Sequence, residues 1–147
     1  MTGFNHTLAG CIIAVTIPAP LAPLAAFVSH FLLDAIPHTN IDSWTDGGPN
    51  NSPWPKKFIA WLIVDAILCF GALTLGVILF PDVWPLVVLC TFLANFPDFL
   101  HIIEFGLRRK TWFSRFTHWI QWAEWKWGWI LEIIYAAIFI MILLLLS

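Results

Sequence analysis

Long apolar blocks alternate with short polar breaks along this chain, and the blocks are of helix length. The first, residues 7–36, is interrupted by "IPAPLAP", which sets Pro18, Pro20 and Pro23 close together. Proline removes a backbone donor and restricts the residue before it, so one straight helix is excluded. The pattern predicts a short helix over 5–17, a tight turn, and a helix over 20–36, a hairpin whose two ends return to one side. About 12 residues of helix cover only ~18 Å of a ~30 Å hydrocarbon core, so the 5–17 helix either spans or re-enters.

The polar stretch "PHTNIDSWTDGGPNNSPWP" (37–55) predicts a loop. After it, "FIAWLIVDAILCFGALTLGVILF" (58–80) is an apolar run interrupted only by Asp65. A "PDVWP" turn leads to a helix over 84–107 that carries "NFPDFLH", where Pro97 frees the carbonyl of Leu93 and predicts a kink. Basic "RRK" (108–110) precedes "TWFSRFTHWIQWAEWKWGW", whose density of tryptophan and charge predicts an interfacial helix. The last block, "ILEIIYAAIFIMILLLL" (130–146), predicts a final span. The expectation is an all-α polytopic membrane protein, with about four membrane helices, a short N-terminal helix and an interfacial Trp-rich helix in a single integral membrane domain.

Composition agrees: 147 residues, 60% hydrophobic and 11% charged, with a mean hydropathy of +0.83, describe a membrane protein. A net charge of -2 and seven scattered Lys and Arg exclude a phosphate-tracking surface, so nucleic acid is not expected as a partner. Cys11, Cys69 and Cys90 are odd in number, far apart and set in apolar sequence, which reads as buried small hydrophobes. No Lys or Arg precedes Lys56, so the charged leader of a signal peptide is missing and residues 8–17 are read as part of the mature protein. Lys56 and Lys57 before one span, and Arg108, Arg109, Lys110 and Arg115 after the next, fall on one face. The positive-inside rule makes that face cytoplasmic, in a multi-pass cytoplasmic membrane protein.

Against this background "SHFLLDAIPH" (29–38) stands out, because His30, Asp34 and His38 are costly in an apolar setting. His30 and Asp34 are spaced i,i+4, and Asp98 and His101 i,i+3, so each pair occupies one helix face. At ~1.5 Å per residue, His30 and His101 lie ~10 Å from the cytoplasmic end of their helices, Asp65 ~12 Å and Asp98 ~15 Å, with Asp34 shallower. His6 starts its helix on the same side, and Pro37 allows His38 to turn back. Six candidate metal ligands follow: His6, His30, Asp34, His38, Asp98 and His101. Imidazole with carboxylate suits a divalent metal such as Zn, Mn or Fe, and the ligand number allows one ion or two. Taken alone, Asp65 and Glu132 read as hydrogen-bonded interhelical contacts.

"HFLLDAIPH" resembles the signature of bacterial zinc-dependent phospholipase C, matched in type by His30, Phe31, Asp34, Pro37 and His38. The layout as a whole resembles the small membrane-bound metal-dependent hydrolases of the YdjM type, whose N-terminal "HT" followed by Gly is matched by His6, Thr7 and Gly10. Their "THS"-like element is approximated by "RFTHW", with Trp119 in place of Ser. The resemblance implies metal-assisted hydrolysis, with Asp65 or Asp98 orienting or deprotonating a water and His118 a further catalytic candidate. Site depth and flanking tryptophans point to membrane lipids as surroundings and a lipid or lipid-linked (phospho)ester as substrate. Two other classes remain open: metal or proton transport, and a non-catalytic membrane subunit whose polar residues lock helices together.

Overall fold

The computed structural model describes residues 1–39, 56–106, 111–123 and 127–147. Within them the chain forms α1 (Gly3–Thr16), α2 (Ala22–Asp34), α3 (Lys56–Leu79), α4 (Trp84–Gly106), α5 (Trp112–Ile120) and α6 (Gly128–Leu146). The prolines divide α1 from α2 as the pattern predicts. Ile17 leaves the helix in extended conformation ahead of Pro18, and α2 takes proline into its first turn, where a missing N–H costs least.

Among the described residues, three helices are long and apolar enough to cross a membrane: Lys56–Leu79, Pro81–Glu104 and Gly128–Leu146. The predicted 20–36 helix is present but shorter than its sequence range. It covers 13 residues, Ala22–Asp34, or ~20 Å, short of a ~30 Å core. Its polar end and Pro37 stop it early, so the described residues hold three span-length helices and an N-terminal hairpin of two shorter ones.

The first helix of the hairpin is the centre of the bundle. The short helix α1 packs against α2, α3, α4 and α6, and nine of its 14 residues are buried. Small residues allow this. A Cβ on Gly10 would meet Thr91 Cα at 2.8 Å, and one on Gly76 would meet Cys11 Sγ at 2.6 Å, so helix backbones approach closely where there is no side chain. Leu8, Cys11, Ala14, Ala26, Ala72, Val87, Cys90, Ala94 and Leu143 form the core around it. Ile67, Phe70 and Ile78 of α3 and Met141 and Leu145 of α6 face outward, as they can where the surrounding lipid is as apolar as they are.

The ends of these helices share a level. Met1 reaches Asp34 at the end of α2, Gly3 and Phe4 reach Asp65 of α3, and Thr2 reaches Glu132 of α6. The starts of α1 and α6 and the end of α2 therefore meet, at the level of Asp65 in the first half of α3. Beside them α5 presents Trp112 and Trp119 outward and packs Phe113 and Phe116 against Phe31 of α2. Of the basic residues used for orientation, Lys56, Lys57 and Arg115 are exposed, and Arg108, Arg109 and Lys110 lie outside the described residues.

Candidate metal centre

His30 and Asp34 occupy one face of α2, and that face turns toward α1 and α4, where His6 and Asp98 wait. His6, His30 and Asp34 are buried, and each offers a ligand atom within 4.8 Å of the others. The two imidazoles stack with centroids 4.1 Å apart and 24° between planes. Asp34 Oδ1 lies 3.2 Å from His6 Nε2, Asp34 Oδ2 lies 3.3 Å from His30 Nε2, and Asp98 Oδ1 stands 3.8 Å from His30 Nε2 with its side chain 34% exposed.

The hydrogen bonds assign protons. His30 Nδ1 is 2.8 Å from the carbonyl oxygen of Ala94, an acceptor only, so Nδ1 carries the hydrogen and donates it. This bond lies in the turn that precedes Pro97 within α4. Nε2 then faces two carboxylates with either a second proton or a lone pair, and a lone pair there requires a cation between. His6 sharpens the requirement: it is fully buried and its Nδ1 has no hydrogen-bond partner, a costly state for an interior nitrogen. The group already holds one cation, the Met1 ammonium, 2.6 Å from Asp34 Oδ1. Gln121, just past α5, donates from Nε2 to Asp34 Oδ2 at 3.0 Å. Two imidazoles and a carboxylate, all buried and converging, make a donor set that fits a divalent metal.

His38 is buried beyond the end of α2 and donates from Nδ1 to the Ile36 carbonyl at 2.8 Å. Burial, followed by the nearby ammonium, pushes its imidazole below the ordinary histidine range, so it is neutral there. It stands outside the group of three whose ligand atoms converge. His101 is exposed. Asp98 lies at the rim, and His101, about one turn further along α4, is not among the residues whose ligand atoms converge. The side chain of His118 lies outside the described residues.

Asp65 and Glu132 have another task. A helix beginning among apolar neighbours leaves its first N–H groups without partners, and no water is at hand to satisfy them. The first turn of α1 contains no acidic residue and its N-cap side chain makes no capping bond. Asp65 accepts from the Gly3 N–H at 3.0 Å and the Phe4 N–H at 3.1 Å. Glu132 accepts from the Thr2 N–H at 3.2 Å, the Thr2 hydroxyl at 2.7 Å and Asn5 Nδ2 at 2.6 Å. Asp65, a catalytic candidate from the sequence, caps α1 here: both its oxygens accept backbone N–H groups. A usable signal was present in the sequence, since Asp65 is the only acid of α3 and Glu132 the only acid of α6. Nothing comparable announced Gln121, the Met1 amine or the Ala94 carbonyl, which depend on how the chain closes.

No protein-family model, no curated protein and no solved structure matches this chain. The likeness to membrane-bound hydrolases therefore rests on the short motifs around His6, His30 and Asp34 alone.

Proposed function

We propose that this protein is a membrane-embedded metal-dependent hydrolase acting on a lipid or lipid-linked (phospho)ester at the cytoplasmic side of the membrane. The observation that carries the reading is the convergence of His6, His30 and Asp34, whose ligand atoms lie within 4.8 Å of one another, with His30 donating from Nδ1 to Ala94 and turning Nε2 onto Asp34 and Asp98. His6, His30 and Asp34 would hold the metal, with Zn, Mn or Fe the fitting choices. A divalent ion there supplies Lewis acidity toward an ester oxygen and acidifies a water.

The chain's own residues do the rest. Ala94 fixes the tautomer and plane of His30, the usual task of an outer partner to a ligating imidazole. Gln121 and the Met1 ammonium hold the Asp34 carboxylate in place. Asp98 is within reach of the His30 ring and partly exposed, so it can meet water at the rim and take its proton. Trp112 and Trp119 of α5 suit the headgroup level, where the ester bonds of lipids lie.

The test is elemental analysis of purified wild type, His30→Ala and Asp34→Asn, followed by hydrolysis of a phospholipid panel. Near-stoichiometric Zn, Mn or Fe in wild type only, with ester cleavage, is expected. The capping contacts of Asp65 and Glu132 favour a second reading, a membrane subunit whose polar side chains only join helices, and metal-free, inactive wild type is its signature.

A further inference from the structure

The helix α5 has two faces with different partners. Trp112, Arg115, Phe116 and Trp119 are spaced i, i+3, i+4 and i+7 and share one face, while Phe113, Thr117 and Gln121 follow i, i+4 and i+8 on another. The inner face is committed. Phe113 packs against Phe31, Thr117 is buried, and Gln121 ends on Asp34. The outer face lies open among the described residues. Trp112 and Trp119 are 76% and 75% exposed, as is Trp122, just past the helix, at 77%. Arg115 is exposed between them and forms no ion pair among the described residues.

Position, composition and charge identify what covers this face. The Thr111 hydroxyl at the N-cap of α5 bonds to Glu104, where the Pro81–Glu104 span ends, and nine residues of helix reach only ~14 Å, too short to cross a ~30 Å core. A helix so tied stays near the membrane surface. Open tryptophans are favoured there, because the ring is apolar and its N–H meets lipid oxygens. The cations are too spread along the chain to follow a polyanion, yet Arg108, Arg109, Lys110, Arg115 and Lys126 are five of its seven Lys and Arg. Glu124 is the one acid in residues 105–127, which leaves that stretch at +4 in a chain whose total is -2. Cations gathered beside a span draw acidic lipids.

We propose that the outer face of α5 binds the headgroup of an anionic phospholipid, with the Arg115 guanidinium on its phosphate and Trp112 and Trp119 beside it. A guanidinium has five donors and no acceptor, and a phosphate accepts two of them at once. A choline headgroup carries the same phosphate with a cation attached, which the positive charge around α5 disfavours. Trp112, Arg115 and Trp119 are not among the residues of the metal group, so the surface stands independently of the metal reading.

The test is photocrosslinking of the full chain in nanodiscs of equal parts phosphatidylcholine and phosphatidylglycerol, with p-benzoylphenylalanine in place of Trp119 and mass spectrometry reading the headgroup of the captured lipid. Phosphatidylglycerol is expected several-fold over phosphatidylcholine, a preference that added salt weakens and that Arg115→Gln reduces at least twofold at an unchanged thermal midpoint. The same probe in place of Phe70, which faces outward from α3, samples the surrounding bilayer and should capture the two lipids equally. A Trp119 probe that captures lipids in the Phe70 ratio, or captures protein instead of lipid, would overturn the surface, and so would an undiminished preference in Arg115→Gln. Metal content, read on the same preparations, bears on the hydrolase alone.

Discussion

Two groups of buried polar side chains flank α1 and meet their demands differently. Toward α3 and α6, the Asp65 and Glu132 carboxylates collect N–H and O–H donors from residues 2 to 5. Toward α2 and α4, His6 keeps an unpartnered nitrogen, His30 turns Nε2 to two carboxylates, and Asp98 is partly exposed. Buried charge is expensive on both sides. On the first side the donors are helix termini, so the expense secures the fold. On the second, two imidazoles and a carboxylate offer ligand atoms within 4.8 Å of one another, the donor types that a metal site uses.

Substitutions can break this contrast. The largest effect is expected for Asp34→Ala, which removes the carboxylate joining both imidazoles and should eliminate bound metal, as read by elemental analysis. Asp65→Leu attacks the other side and should cost about 2–5 kcal/mol by leaving the Gly3 and Phe4 N–H groups without acceptors, visible as a fall in thermal midpoint with metal still bound in the folded fraction. If Asp65→Leu and Asp34→Ala lost metal equally at temperatures where both remain folded, the contrast would collapse. Asp98→Asn keeps the shape of the rim and should lower ester hydrolysis about 10–100-fold while metal content holds. Gly10→Ala drives a methyl group into the backbone of Thr91 and should cost about 1–3 kcal/mol, measured as a lower midpoint with an unchanged metal-to-protein ratio.

The smallest effect concerns pH. The His38 pKa is lowered in the folded protein, so the unfolded state binds more protons as pH falls below the ordinary histidine value. Its share of stability is full above that value and declines below it. His38→Gln should narrow the difference in thermal midpoint between neutral and mildly acidic buffer relative to wild type.

Much of the bundle was legible in the pattern. The 58–80, 84–107 and 130–146 blocks correspond to α3, α4 and α6, and the prolines at 18, 20 and 23 mark the hairpin. Estimating depth along each helix also placed His6, His30, Asp34, Asp65 and Asp98 at one level. Depth, however, says nothing about azimuth. Asp65 shares that level yet faces the start of α1, and His101 shares it yet faces out, because rotation about a helix axis is fixed by packing. The rank of α1 was hidden for a related reason. Hydrophobicity marks what meets lipid, so α3 and α6 stood out, while a short helix with Gly3, Asn5, His6, Thr7 and Gly10 looked peripheral and is the hub.

Capping of α1 by acids from later helices imposes an order on assembly. The ribosome delivers α1 first, yet the carboxylates that satisfy its leading amides arrive 62 and 130 positions afterwards. Until α6 emerges, the hairpin has nowhere stable to bury its polar end. The earliest segment made is thus the last to settle. A nascent chain arrested before residue 128 should leave a cysteine placed at Thr2 open to a thiol reagent, and the released chain should protect it.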